Sequence, residues 1–440
     1  MTMAVYNTVL RRWPSLIFLD PQEDSPEELA PLDLPSEYSE TPDETTFCAE
    51  RFSPKYLEDL RDSSTEYCTT NSTSQMTCFH STTTPDRVDT FCLGRDVLYD
   101  ASSKKFHLES YGEFHDYWYR TGPSTVIYNW VDVQNTTLNS TKPINETDFT
   151  ILVKREGSHN LWHSMMELFS MTMTMDVLQM SRAENETQPF WTPSDAKNTQ
   201  VVLLDDNDDG PYIDLWSLFA EKPTVRLTDL PESSTLENII VPLAGGSNPL
   251  WQGDWEIHPC EDSRLLRTFS RRVLDSYGIG DSAPRQGPEI TLTFINRTDT
   301  RQLVHDTSYL EEVEAKYPHV KVQSIDFAAI PFKDQLRIIQ ETDILVGVHG
   351  AGLTHGMFLP VRSTMVEILP SALNHKGFRN VAGLLDHSYF SIHASTKQSA
   401  RKRNDWHGDD VFLEKDRFMK IIDVAIKGMY NRGERNYDVK

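Results

Sequence analysis

Asp343-Ile-Leu-Val-Gly-Val-His-Gly-Ala-Gly-Leu-Thr-His355 decides the fold. The apolar run Ile344 to Val348 reads as a buried strand. It runs straight into His349-Gly350-Ala351-Gly352, and a short helix is predicted over Leu353 to Leu359. Two glycines at such a turn let backbone approach a ligand closely. The first amides of the helix, around Ala351, Leu353 and Thr354, point outward without partners, at the positive end of the dipole. A pyrophosphate is the natural occupant, and the Thr354 hydroxyl adds a donor. The bland alternative for a bare GxG is a tight turn with no ligand.

Working outward, strands and helices alternate. Strands are predicted over Ile290 to Ile295, Val320 to Ile325 and Met365 to Leu369, with helices over Ser308 to Lys316 and Lys333 to Glu341. Such alternation argues a parallel, doubly wound sheet. Residues 281–288, a polar stretch with two prolines, mark a domain boundary. Before it, strands are predicted over Phe149 to Lys154, Val201 to Leu204 and Ile239 to Pro242. Helices are predicted over 160–180 and Ser263 to Tyr277, with a short one over Tyr212 to Ala220. The expected division is a leader at 1–46, a first α/β domain at 47–280, a second at 281–410, and a C-terminal helix and tail at 411–440. The Pro-, Glu-, Asp- and Ser-rich stretch 20–46 reads as disordered or loosely attached. The last helix, about 411–430, is expected to pack back across the first domain.

Three further segments carry chemistry. Phe294-Ile-Asn-Arg-Thr298 with Arg301 lies at the carboxyl end of the second domain's first strand. Sheet topology brings that end beside His349, so Arg297 can neutralise a diphosphate with its fixed donor fork. Asn296 is also a glycosylation sequon, and a glycan there would block the crevice, so it is expected to be bare. His159-Asn-Leu-Trp-His163-Ser-Met-Met-Glu167 spaces two histidines and a glutamate four apart, on one helix face. It is not the HExxH zinc pattern. His163 or Glu167 can instead take a proton from a hydroxyl as general base. Asp205-Asp-Asn-Asp-Asp-Gly210 offers Asp206 and Asp208 to a divalent cation, although acidic loops are usually solvated turns.

The chain has 440 residues, 38% hydrophobic and 25% charged, with a formal net charge of −24. That is a soluble globular composition, long enough for two domains. The anionic balance argues against nucleic acid as a partner. Of the five cysteines, Cys48, Cys68, Cys78 and Cys92 crowd near the start and Cys260 stands apart. Two disulfides within the quartet leave Cys260 free; otherwise one of the quartet pairs with it. Sequons at Asn71, Asn135, Asn139, Asn145 and Asn185 agree with the cysteines on a secretory lumen. No signal or anchor is visible: the apolar run Leu16 to Leu19 is too short.

These segments resemble glycosyltransferase family 61. The likeness rests on Phe47-Cys48-Ala-Glu-Arg-Phe with Tyr56-Leu-Glu-Asp-Leu-Arg61, on Asn160-x-x-His163, and on Asp334-Gln-Leu-Arg337 through His349-Gly-Ala-Gly-Leu-Thr-His355 to Phe358-Leu-Pro360. It spans most of residues 47–425. The resemblance implies a GT-B-like α/β fold, two Rossmann-like domains facing across a cleft, and inversion at the anomeric carbon without a bound metal. It places Arg297, Gln335, His349, Gly350, Gly352 and Glu367 on the donor side and His163 on the acceptor side. A UDP-sugar, favoured UDP-GlcNAc, is the implied donor. The acceptor is a secreted or membrane protein, favoured at Ser/Thr, or a glycan, in the ER or Golgi lumen. A xylosyltransferase or other glycan-elongating member, or a silent nucleotide-sugar-binding protein, fits the same fold.

Overall fold

The computed structural model describes residues 32–38, 45–67, 74–81, 83, 87–109, 122–134, 148–184, 186–230, 237–280, 283, 285, 287–395 and 407–431. Most of the leader, Cys68, the sequons at Asn71, Asn135, Asn139, Asn145 and Asn185, and part of the 281–288 stretch lie outside the described residues. Two sheets organise the rest. The first contains β1 (Ser64–Glu66), β2 (Gln75–Ser81), β3 (Asp89–Asp100), β4 (Lys105–Glu109), β5 (Val131–Gln134), β6 (Phe149–Val153), β7 (Thr199–Leu203), β8 (Val225–Arg226) and β9 (Glu237–Val241). Its main path runs β1-β2-β3-β9-β6-β7-β8, with β4 and β5 off that path. The β9-β6-β7-β8 half is parallel, whereas β1, β2, β3 and β9 pair antiparallel. The sequence reading gave 47–110 only short segments, so this antiparallel half is new.

The second sheet holds β10 (Ile290–Ile295), β11 (Val320–Ile325), β12 (Ile344–Val348), β13 (Thr364–Leu369) and β14 (Ser388–His393), all parallel. Its order is β11-β10-β12-β13-β14. The chain therefore reverses direction of winding between β10 and β12, and ligands of such sheets bind at the carboxyl ends of the strands flanking that point. The sequence places Asn296-Arg297 after β10 and His349-Gly350 after β12.

The helix Leu161–Gln179 is buried almost all round, as an apolar surface on every face requires. It shares one core with the helix Arg264–Ser276, the 3₁₀ helix Ala351–Phe358 and Phe332, Leu336 and Phe378. That core joins the two sheets' layers. A second core fills the space between the second sheet and the helices Asp306–Lys316 and Lys415–Asn431. The C-terminal helix thus packs back on the second sheet, with Phe418, Ile422 and Ala425 fully buried there, and not across the first. No helix among the described residues is long and apolar enough to cross a membrane.

The disulfides are Cys48–Cys260 and Cys78–Cys92. Cys260 is therefore paired with a member of the quartet. Cys78 and Cys92 face each other on β2 and β3, so the antiparallel ladder itself brings them together.

Candidate active site

A cavity of about 270 Å³ opens at the carboxyl ends of β10 and β12. His159, Leu161 and Tyr212 line it from the first layer; Asn296, Arg297, Asp326, Gln335, Gly352 and His355 line it from the second. It is small for a ligand pocket but lies at the topological switch point, where such sites form.

Arg297 and Arg301 converge on Gly350. Arg297 donates from Nε to the Thr300 carbonyl at 2.7 Å and from Nη2 to Thr300 Oγ1 at 3.1 Å, which fixes the fork. Arg301 donates to the His349 carbonyl at 3.0 Å. Gly350 has φ of 153°, and a Cβ there would stand 2.7 Å from Arg297 Nη1 and 3.2 Å from Arg301 Nη2. Burial lowers the Arg297 pKa, the cost of holding a guanidinium in a partly closed site, while Asp299 and Asp326 act the other way. Two guanidinium groups flanking one glycine set fixed donors and positive charge side by side, the arrangement that suits an anionic oxygen group.

The Gly-rich turn differs from expectation in two respects. The helix after it is 3₁₀ and starts at Ala351. The Leu353 amide is already bonded to the Gly350 carbonyl at 2.9 Å, because a 3₁₀ turn closes one residue sooner than an α turn. Leu353 and Thr354 are fully buried, and the Thr354 hydroxyl has no hydrogen-bond partner among the described residues. Gly352 does not have a positive φ; a Cβ there would press on Ile295 Cγ2 at 3.0 Å. Ala351 is partly buried and lines the cavity.

Behind the turn, His349 Nδ1 lies 2.5 Å from Glu367 Oε1, and the Tyr389 hydroxyl donates to Glu367 Oε2 at 2.5 Å. Gln335 is buried; its amide nitrogen donates to the Phe327 and Ile330 carbonyls at 2.7 and 2.9 Å, and its oxygen faces His355 Nε2 at 2.7 Å. Gln335 therefore braces the cavity wall from within. Sequence reasoning quoted His355 but gave it no part, and it did not find Tyr389 at all. A histidine three residues beyond Gly352 was the only signal available.

Across the cavity, Asn160 caps the helix Leu161–Gln179, accepting from the amides of Trp162 and His163 at 3.0 and 3.4 Å. His159 consequently falls outside the helix and does not share a face with His163 and Glu167. It turns to Asp208, with Nε2 2.8 Å from both carboxylate oxygens. His163 has a side chain 30% exposed, sits 3.7 Å from Glu156 Oε2 and packs edge-on to Trp251 at 4.7 Å. Rings continue from Trp251 through Trp162 and His375 to His349, linking the His163 side to the donor turn. Glu167 is buried, accepts the Glu156 amide at 2.6 Å, and burial pushes its pKa up to about 8. It lies against Gly245, away from the cavity.

The acidic loop is engaged internally. Asp205 pairs with buried Arg155 at 2.9 Å, Asp208 with Ser158 and His159, and Asp209 with Arg226. No group of three or more His, Cys, Asp or Glu side chains suited to a metal occurs among the described residues.

The EGF domain-specific O-linked N-acetylglucosamine transferase of Drosophila melanogaster is 29% identical over 231 residues, 50% of this chain and 40% of that protein. The protein of the same description from Gallus gallus is 34% identical over 114 residues, 26% of this chain and 21% of that one. The protein O-linked-mannose beta-1,4-N-acetylglucosaminyltransferase 2 of Canis lupus familiaris is 22% identical over 264 residues, 57% and 42% of the two chains. The chain spans less than half the length of these relatives. A glycosyl transferase family 9 structure from Veillonella parvula covers 64% of this chain and 97% of its own at 10% identity, with a TM-score of 0.25 that carries no argument. The sequence profile described as Glycosyltransferase 61 matches residues 161–366, from the capped helix to the strand behind the glycine turn.

Proposed function

We propose that this chain is an inverting glycosyltransferase that moves a sugar, favoured GlcNAc, from a UDP-sugar to a Ser/Thr hydroxyl of a secretory-pathway protein. The observation that carries the reading is the pair of guanidinium groups of Arg297 and Arg301 flanking Gly350 at the β10/β12 switch point. The relatives are named as N-acetylglucosamine transferases, which favours GlcNAc as the donor sugar. The disulfides and sequons favour an ER or Golgi lumen.

In this reading, residues 281–410 hold the nucleotide and residues 47–280 face the acceptor. The acceptor oxygen attacks the anomeric carbon from the side opposite the diphosphate. The bond from that carbon to the diphosphate oxygen breaks, and UDP leaves with the electron pair. Arg297 and Arg301 meet the charge that grows on the leaving group. His163 takes the acceptor's proton. Because the guanidinium groups supply the positive charge, the reaction is proposed to need no metal.

The test is UDP release and thermal stabilisation measured across UDP-GlcNAc, UDP-xylose, UDP-galactose and UDP-glucose, with and without EDTA. UDP-GlcNAc should give the largest response, unchanged by EDTA. No stabilisation by UDP or any UDP-sugar would remove the nucleotide site, and activity lost in EDTA and restored by Mn²⁺ would restore the Asp205–Asp209 loop as a metal site.

A further inference from the structure

We propose that a nucleoside diphosphate entering this cavity drives uptake of a proton by His355, which then stands as a buried imidazolium beneath the diphosphate. The inference rests on the nucleotide reading given above. His355 Nε2 lies 2.7 Å from Gln335 Oε1, and His355 Nδ1 lies 2.7 Å from the Gly352 carbonyl. The orientation of Gln335 is fixed, because its nitrogen donates to two carbonyls, Phe327 and Ile330, that can only accept. Turning that amide over would set its oxygen against both. The network thus has four contacts, and each needs a hydrogen. Gln335 supplies two. His355 must supply the other two, and a neutral imidazole carries one.

The surroundings oppose that second proton while the cavity is empty. The His355 ring is 1% exposed, stacked on Phe327 at 4.4 Å and close to Phe332 at 6.1 Å. Burial pushes its pKa down to about 4. The charged and titratable groups that share the cavity are Arg297, Asp299, Asp326 and His159. Arg297 opposes a further positive charge. Asp299 is exposed, and Asp326 is occupied with Ala328 and Thr298, so neither supplies a buried counter-charge. A diphosphate brings negative charge into the same low-dielectric space, where it acts strongly. Its arrival raises the His355 pKa, and the proton taken up completes the hydrogen bonds to Gly352 and Gln335. The Gly352 carbonyl belongs to the turn on which the diphosphate would rest, so protonation stiffens the cradle as it fills.

The sign follows from linkage. A pKa raised on binding means that affinity is fully present at low pH and declines as pH rises through the bound-state value. Titration calorimetry of UDP-GlcNAc in two non-phosphate buffers of different ionisation enthalpy counts the protons directly. This donor suits the test because its diphosphate diester has no proton to gain near neutral pH. At pH 7 the wild type should take up about 0.5 to 1 proton per donor bound. His355→Gln should take up none, and His159→Ala should match the wild type. Binding without uptake, or uptake that survives in His355→Gln or vanishes in His159→Ala, overturns the proposal and leaves the nucleotide site standing. If His355→Gln does not fold, the wild type decides: Kd should rise about tenfold per pH unit between the free-state value of about 4 and the bound-state pKa and level off above it, and a profile flat from pH 5 to 7 overturns the proposal. No binding of UDP-GlcNAc at any pH overturns the nucleotide reading itself, and this inference with it.

Discussion

The imidazole of His349 lies 2.5 Å, through Nδ1, from a carboxylate oxygen of Glu367 on the neighbouring strand. Burial lowers the His349 pKa more than Glu367 raises it, so the ring is neutral at neutral pH and donates its proton to Glu367. The second Glu367 oxygen accepts from Tyr389, whose own pKa is driven up by burial and by that carboxylate. Glu367 thus orients two buried groups behind the glycine turn.

Glu367→Ala should therefore be costly to the fold. It leaves buried His349 and the part-buried Tyr389 hydroxyl without an acceptor, each worth roughly 1–3 kcal/mol, so a loss of about 2–6 kcal/mol is expected in denaturant unfolding. Glu367→Gln, which keeps the shape, should lose less. A change below about 1 kcal/mol for the alanine variant would mean that the two rings find other acceptors.

Gly350 is the position where a methyl group should do most harm to the donor site. Its φ of 153° disfavours a side chain, and a Cβ would displace the Arg297 guanidinium. Gly350→Ala should weaken UDP binding at least about tenfold, the scale of one lost charged hydrogen bond, with the fold intact by circular dichroism. Gly352→Val should also abolish UDP stabilisation, but by crowding Ile295 and not through backbone strain. UDP binding unchanged in both variants would move the nucleotide elsewhere.

Arg297→Ala should reduce kcat more than it raises KM. Charge on the departing diphosphate grows in the transition state, so a group placed to meet it acts most strongly there. A variant with intact kcat and only a raised KM would make Arg297 a ground-state binding residue.

The second sheet was largely legible because parallel strands covered on both faces read as unbroken apolar runs. Ile344–Val348 was bounded correctly for that reason; Ile290–Ile295, buried but interrupted by two threonines, and the edge strand Val320–Ile325, with Lys321 and Ser324 exposed, were bounded correctly without such a run. The antiparallel half of the first sheet was not. Gln75–Ser81 and Asp89–Asp100 mix Thr, Cys, Asp and Arg, and what makes them strands is pairing with each other, as at Cys78 and Cys92. Within the site, Arg297 and the glycines were legible from their places at strand ends. The departure of His159 from the helix face was in principle readable, since Asn160 is a strong helix cap. The Gln335–His355 bond joins residues twenty positions apart and leaves no local pattern.

Glu167 makes stability depend on pH. Its folded pKa of about 8 stands above the ordinary 4.5 because burial penalises the charge. The folded state then holds a proton that the unfolded chain has released, so stability falls as pH rises from 4.5 to 8 and levels off above. Asp176, raised to about 6, adds a slope of the same sign at the acid end of that window. Glu167→Gln, already neutral, should flatten the loss between pH 6 and 8, where Asp176 contributes little. Equal pH slopes for the two proteins in urea unfolding would show that Glu167 is ionised when folded.

The proton of the acceptor hydroxyl must leave as the new C–O bond forms, because its pKa is far above neutrality. His163 is the group proposed to take it. It stands on the first turn of the capped helix, partly exposed, with Glu156 near one ring nitrogen and Trp251 against its edge. Glu167, named beside it from sequence spacing, is buried and bonds the Glu156 amide, so its effect on the reaction should run through the position of Glu156. His163→Ala should lose roughly 10²-fold or more in kcat, the usual scale for a general base, while UDP still stabilises the protein. Glu167→Gln keeps the acceptor for the Glu156 amide and should retain most turnover. Near-normal turnover in His163→Ala would assign the proton to another group, and a loss in Glu167→Gln equal to that in His163→Ala would make the buried carboxyl the base.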